Sequence, residues 1–153
     1  MIKKTENEIM RNWKAHEELL VSICSITYNH ENFIAMALDS MLMQETDFPF
    51  EIIINDDCST DQTTAIIKEY VEKFPNIIKT IFETENQYSK GGMVFMSVYK
   101  KARGKYVAVL EGDDYWRDEL KLQKQVDFLE KHDEYILSYH NSIIIDEQNQ
   151  EVS

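Results

Sequence analysis

The chain has 153 residues, 43% of them hydrophobic, and its 28 Asp and Glu against 16 Lys and Arg give a formal net charge of −12. That length supports one domain with a full core and hardly two. A chain this acidic repels phosphate backbones and anionic lipid at long range, which argues against nucleic acid as a partner. A small phosphorylated ligand remains open to it, provided a metal or backbone dipoles supply the neutralising charge.

Residues 1–18 mix Lys3, Lys4, Glu6, Glu8, Arg11 and Lys14 with scattered apolar positions. They read as a polar extension without the apolar centre of a signal peptide. No run in the sequence approaches the roughly 20 apolar residues that a membrane span requires. Cys24 and Cys58 stand far apart with no Cys or His partner near either. That pattern fits neither a zinc site nor a disulfide framework, and a reducing, cytoplasmic compartment is the expectation.

After the leader, residues 19–27 (LLVSICSIT) form a short β-branched run that ends in Tyr28-Asn29-His30 and predicts a buried strand. Apolar residues at helical spacing follow over 33–43 (Phe33, Met36, Ala37, Met41), and Phe48-Pro49-Phe50 breaks that pattern. Residues 51–55 (EIIIN) predict the second strand and 61–74 the second helix, which Pro75-Asn76 terminates. A third strand is expected over 77–82. A polar loop with the Gly91-Gly92 pair comes next, then a helix over 93–102 closed by Arg103-Gly104. Residues 105–110 (KYVAVL) predict the fourth strand, 118–132 an amphipathic helix carrying Leu120, Leu122, Val126 and Leu129, and 135–145 a fifth strand. Strand and helix alternate throughout, the rhythm of parallel βαβ units with helices on both faces of the sheet. Ligands in such sheets sit beyond the carboxyl ends of the strands.

Those ends are where the chemistry concentrates. Glu111-Gly112-Asp113-Asp114 packs three carboxylates into four residues, and like charges this close resist joint ionisation unless a cation joins them. Hard oxygen ligands suit Mg2+ or Mn2+ shared with substrate phosphates. The plainer alternative is a solvated turn in which Asp114 or Asp118 caps the next helix. Tyr115-Trp116, directly after it, suggests a walled pocket. Asp56-Asp57-Cys58-Ser59-Thr60-Asp61 is a second acidic strand end. Ser59 or Asp61 is a natural helix cap there. A further carboxylate is left to accept from a uracil or guanine imide or a ribose hydroxyl. Thr27-Tyr28-Asn29 would add ring stacking and polar contacts from the first strand. His30 reads as a loop histidine, since no carboxylate is placed near it by spacing. Ser89-Lys90-Gly91-Gly92 lacks both Walker and dinucleotide spacing and is expected to be a flexible substrate-side loop.

In order and spacing, the segments VSICSITYNHENFIAMALDSMLMQ, EIIINDDCSTDQT, ETENQ, ARGKYVAVLEGDDYW and KLQKQVDFLE resemble the bacterial family 2 glycosyltransferases of the GT-A fold. The likeness runs from about residue 20 to residue 129. It implies an α/β, Rossmann-like nucleotide-diphospho-sugar transferase fold over 19–153, with a mostly parallel central sheet flanked by helices. It also implies inverting transfer of a sugar from a UDP- or GDP-sugar to a hydroxyl of a saccharide or lipid-linked acceptor in cell-surface polysaccharide synthesis. The implied location is cytoplasmic, free or peripheral to the inner membrane. By the same likeness Thr27, Tyr28 and Asn29 line the nucleotide site and Asp56 and Asp57 meet the base. Glu111 and Asp113 take the metal, with Asp114 near the ribose or behind the metal. Glu111 stands where the family has Asp, and Gly92-Met93-Val94-Phe95 where it often has an Arg-Asn pair. The acceptor region and the catalytic base are expected beyond Ser153, because a polar chain end accounts for Asp146 and Glu147. Two other readings stand beside this one. The first is a module that holds nucleotide sugar without transferring it. The second is a phosphoacceptor signalling domain, which fits less well because strand one ends in Thr-Tyr-Asn rather than in an acidic pair.

Overall fold

The computed structural model describes residues 2–14, 18–146 and 150–152. It divides at Gln123/Lys124 into two units. In the first unit four parallel strands, β1 (Val21–Thr27), β2 (Phe50–Asp56), β3 (Ile78–Phe82) and β4 (Tyr106–Val109), form one sheet in the order β3-β2-β1-β4. The helices are α1 (Glu6–Ile9), α2 (Ile34–Leu42), α3 (Thr63–Lys73), α4 (Val94–Tyr99) and α5 (Lys121–Lys131). Fold class and parallel pairing agree with the alternation of apolar runs in the sequence.

The two central strands are buried along almost their whole length, as expected for β-branched runs with helices on both faces. Alternation divides their side chains. Cys24 and Ile53 are paired across the β1–β2 register and pack with Val98 of α4, flanked by Ile26, Ile81 and Phe95. Ile23, Ile52 and Ile54 point to the opposite face. Right-handed crossovers set which helix goes where. The chain moves from β1 to β2 to β3 in one direction, and α2 and α3 pack against each other on that passage. It then crosses back through α4 to lay β4 on the other side of β1. The reversal puts a crevice at the carboxyl ends of β1 and β4, the place where open α/β sheets bind ligands.

Three features depart from, or add to, the sequence reading. The expected fifth strand over 135–145 does not form. The segment is without strand pairing except for a single antiparallel bridge from Ile145 to Glu151. Its composition favours a strand, but a strand also needs a neighbouring edge to bond to, which propensity does not supply. Second, the leader carries secondary structure. Thr5 and Glu8 cap α1 reciprocally, Thr5 N–H donating to Glu8 Oε2 at 2.7 Å and Glu8 N–H to Thr5 Oγ1 at 3.3 Å. Glu6 then accepts from the backbone N–H of Asn76 at 2.7 Å and of Ile77 at 3.1 Å. Trp13 lies edge-on to Phe50 at 5.3 Å, with its Nε1–H on Thr46 Oγ1 at 3.1 Å. Positions 1 and 15–17 of the leader lie outside the described residues. Third, an ion pair between the buried Glu51 carboxylate and the largely exposed Arg103 fixes the entry to β4. Glu51 accepts from Arg103 Nη2 at 2.6 Å, from Arg103 Nε at 3.2 Å and from the Ser22 hydroxyl at 2.8 Å. Gly104 sits so close to β1 that a Cβ there would lie 2.6 Å from the Ser22 nitrogen.

Candidate functional site

The β1–β4 pairing does not stop at the last residue of β4. Leu110 N–H donates to the Cys24 carbonyl at 3.3 Å and Gly112 N–H to the Ile26 carbonyl at 2.9 Å. The acidic loop is thereby carried to the end of β1, against Thr27 and His30. Gly112 is required by that approach, since a Cβ would fall 2.5 Å from Thr27 Oγ1 and 3.1 Å from His30 Nδ1. Asp114 N–H closes the turn on the Glu111 carbonyl at 3.2 Å.

His30 has the carboxylate partner that spacing did not place. Its Nε2 lies 3.7 Å from Asp113 Oδ2, and its Nδ1 lies 3.1 Å from Thr27 Oγ1. Desolvation and the neighbouring Asp113 charge hold the Asp114 carboxyl above its ordinary range, and His30 opposes them.

The second acidic strand end separates its two aspartates. Asp56 is turned inward, where Oδ1 accepts from Ser59 N–H at 3.0 Å and Oδ2 from the Thr64 hydroxyl. It holds the loop into α3 closed. Asp57 is equally buried but faces the crevice, and its carboxylate accepts from the backbone N–H groups of Gln87 at 2.7 Å and Tyr88 at 3.0 Å. Asp61 serves the helix start, accepting from Thr63 N–H at 2.9 Å. Asn29, in the left-handed region at φ 56°, ties the two loops together. Its Oδ1 accepts from Thr60 N–H at 2.8 Å and its own N–H donates to Ser59 Oγ at 2.9 Å.

A cleft runs over these strand ends, lined by Ile26, Thr27, Tyr28, His30, Asp57, Tyr88, Val94 and Glu111. It encloses about 130 Å³, below the roughly 300–1,000 Å³ of a drug-sized ligand cavity. One ring fits within, and the rest of a larger ligand would extend along the open strand ends. Of the residues expected at a ligand site, Thr27, Tyr28, Asp57 and Glu111 meet in this cleft. Asn29 and Asp56 instead brace its walls, while Asp113 and Asp114 stand on the adjoining turn. Sequence reasoning missed His30 and Tyr88, for which only the fold supplies the neighbours. Within the loop expected at Ser89-Lys90-Gly91-Gly92, Lys90 pairs with Glu85, and Gln87 and Tyr88 just before it are bonded to Asp57.

Whether a divalent cation fits can be judged from the donor set. Among the described residues no three His, Cys, Asp or Glu side chains converge into a ready cage. Mg2+ and Mn2+, however, commonly take one or two carboxylates and complete their shell with phosphate oxygens and water. Glu111 on the cleft and Asp113 on the same turn are hard oxygen donors of that kind, and they fit a site completed by substrate. Of the two carboxylates near the end of the chain, Asp146 is engaged in a turn, accepting from Gln150 N–H at 2.9 Å. Glu147 lies outside the described residues.

A parallel sheet that reverses beside β1, with an acidic loop at the reversal, is the GT-A arrangement. Solved glycosyltransferases superpose on it. TarS 1–349 of Staphylococcus aureus in complex with UDP aligns with a TM-score of 0.65 at 32% identity, covering 75% of this chain and 33% of that one. The mannosyltransferase PcManGT of Pyrobaculum calidifontis, in complex with GDP-Man and Mn2+, aligns at 0.61 with 24% identity over 74% of this chain and 33% of its own, a likeness of fold alone. The model of glycosyl transferase family 2 matches residues 22–152, and the chain belongs to that family. An uncharacterized Mycobacterium tuberculosis protein is 46% identical over 120 residues, which are 78% of this chain and 34% of that protein. The chain thus spans about a third of the length of such relatives. Among the described residues no helix is long and apolar enough to cross a membrane.

Proposed function

We propose that this chain is the donor-binding part of an inverting glycosyltransferase that uses a UDP- or GDP-sugar, with a saccharide or lipid-linked acceptor in cell-surface polysaccharide synthesis. One observation carries it: the cleft at the reversal of a family 2 sheet brings Tyr28, Asp57 and Glu111 together. Tyr28 offers a ring face to the base, and Asp57 offers a carboxylate that accepts an N–H from uracil or guanine but has nothing to donate to adenine or cytosine acceptors. Thr27 lines the floor, and Asn29 and Asp56 keep the two nucleotide loops in register. Glu111 and Asp113 hold Mg2+ or Mn2+, and Asp114 lies beside the ribose or behind the metal. When bound, the cation would stabilise the charge of the departing diphosphate. TarS, named as a poly(ribitol-phosphate) beta-N-acetylglucosaminyltransferase, is 34% identical over 119 residues covering 76% of this chain and 20% of its own. That kinship supports a polymeric acceptor. Family membership sets aside the phosphoacceptor domain.

Calorimetric titration with UDP, GDP and their sugars, with and without Mn2+, tests the assignment. Binding at 100 times Kd should also raise stability by about 2.7 kcal/mol. Asp113→Asn is expected to remove the Mn2+-dependent part and leave the melting temperature of the free protein in place. Absence of binding by every nucleotide would overturn the assignment. Donor binding with neither transfer nor slow donor hydrolysis would instead identify a module that holds the sugar nucleotide without using it.

A further inference from the structure

Two tyrosines stand at the cleft, and the family resemblance accounts only for Tyr28. Tyr88 is the more open of the two, 79% exposed against 42%. Its backbone, however, is tightly held. Asp57, buried on the floor of the same cleft, receives the N–H groups of both Gln87 and Tyr88. Asn86 Nδ2 donates to the Asp57 carbonyl at 3.2 Å, and Asn86 Oδ1 accepts from Ser89 N–H at 2.7 Å. Gly92 N–H closes the loop on the Gln87 carbonyl at 2.9 Å, and Gly91 makes the turn at φ 77°. A bonded loop therefore presents a large ring to solvent at the cleft mouth, which neither its burial nor its backbone bonding requires. A lone exposed aromatic is ordinary surface. Tyr88 differs because the carboxylate set to read a ligand's ring edge also anchors the backbone that carries this ring.

We propose that Tyr88 is a ligand-contacting residue, its ring packing on a face of the nucleotide base in a subsite shared with Tyr28 and Asp57. The proposal rests on the donor-site assignment above and extends it. Stacking on a tyrosine is tolerant of base identity, because every base has a π face. Discrimination therefore stays with Asp57, and Tyr88 adds affinity. A carboxylate offers about four acceptor positions. Two are taken by the loop amides, so a base imide can join Asp57 without releasing Tyr88. Edge and face recognition are thus set by one buried group.

Tyr88→Ala and Tyr88→Phe in the whole chain test this by titration with UDP and GDP in Mn2+ buffer, with melting temperatures measured alongside. Tyr88→Ala should weaken whichever nucleotide the parent binds by about tenfold or more. Tyr88→Phe should stay within about twofold, since the ring face is kept, and all three proteins should melt alike because the side chain is exposed. The proposal is overturned if Tyr88→Ala binds as the parent does, or if Phe loses as much as Ala, which would assign the effect to the hydroxyl. If the parent binds neither nucleotide, the donor-site assignment itself fails, and that outcome is visible before any variant is made.

Discussion

Gly112→Ala is expected to lift the acidic loop off the strand that seats it. A Cβ at 112 would lie 2.5 Å from Thr27 Oγ1 and 2.6 Å from Thr27 Cβ, where ordinary contact begins at 3.4 Å. The shortfall is therefore close to 1 Å. Thr27 cannot yield, because it is buried at the end of β1 and its carbonyl accepts from Asp57 N–H at 3.0 Å. The loop must move instead, at the expense of the 2.9 Å bond from Gly112 N–H to the Ile26 carbonyl. Overpacking of this kind costs about 1–3 kcal/mol, and each kcal/mol lowers the melting temperature of a chain this size by about 2–4 °C. Metal coordination tolerates only about 0.2 Å of error, so Mn2+-assisted nucleotide affinity should fall about 10–100-fold, as it does when a ligand's support is lost. Nucleotide binding without metal, assigned above by proposal to Tyr28 and Asp57, should change far less. Calorimetry with and without Mn2+, beside thermal melting, separates the two effects. A variant that melts with the parent and keeps its full Mn2+ dependence would refute the reasoning.

Cys58 sits in the left-handed region at φ 65°, a conformation that costs a side-chain-bearing residue about 1–2 kcal/mol. Cys58→Gly should raise stability in urea by about 0.5–1 kcal/mol, because glycine's greater freedom when unfolded takes back part of the gain. Arg103→Met leaves the Glu51 carboxylate buried beside Ser22 without its countercharge. Breaking a buried pair costs about 3–5 kcal/mol, and with Arg103 itself 67% exposed a loss of about 1–3 kcal/mol is expected in urea melts. Burial pushes the Lys121 ammonium down to about 8, with the Trp116 ring face 3.8 Å away opposing that. The unfolded chain keeps this proton to higher pH than the folded one, so stability should rise between pH 8 and the ordinary lysine value of 10.5. Lys121→Met should abolish that rise and be the more stable protein below pH 8, and thermal melts across this range check it.

The parts of the fold legible in the sequence were those whose signal is local. The β-branched runs of β1 and β2 need no information beyond themselves, since helices cover both faces. Helical spacing over 33–43 likewise identifies α2, but only Ala37 and Met41 of the stripe are buried; Ile34, Leu38 and Leu42 complete the buried side, while Phe33 and Met36 are half-buried. Residues 135–145 carry the same kind of composition without becoming a strand. What they lack is a bonded edge, a property of the partner rather than of the segment. The Thr5-x-x-Glu8 capping box was readable in the leader, but the seat of Glu6 on Asn76 and Ile77 spans some 70 positions of sequence and could not be seen there. At the site, spacing identified both acidic strand ends. It could not separate Asp56 from Asp57, which alternate pointing along a strand turns toward α3 and toward the cleft respectively. It also left His30 without a partner, because Asp113 reaches it only after the chain crosses the sheet to β4.

The geometry also bears on how so acidic a chain would hold an anionic ligand. Among the described residues lining the cleft there is no Lys or Arg, and the adjoining turn adds Asp113 and Asp114. Phosphates placed there meet carboxylates first, and the net charge of −12 offers no attraction at longer range. The base recognition proposed for Tyr28, Tyr88 and Asp57 is, by contrast, independent of phosphate. The two halves of a nucleotide should therefore respond to metal in opposite ways. In EDTA, UDP should bind no tighter than uridine, because its diphosphate adds only repulsion. With Mn2+ the order should reverse, UDP gaining about tenfold or more while uridine stays unchanged. Competition titrations of the two ligands in the two buffers decide it. UDP outbinding uridine by that margin in EDTA would mean that protein groups neutralise the diphosphate, and the case for Glu111 and Asp113 as cation ligands would lose its electrostatic basis.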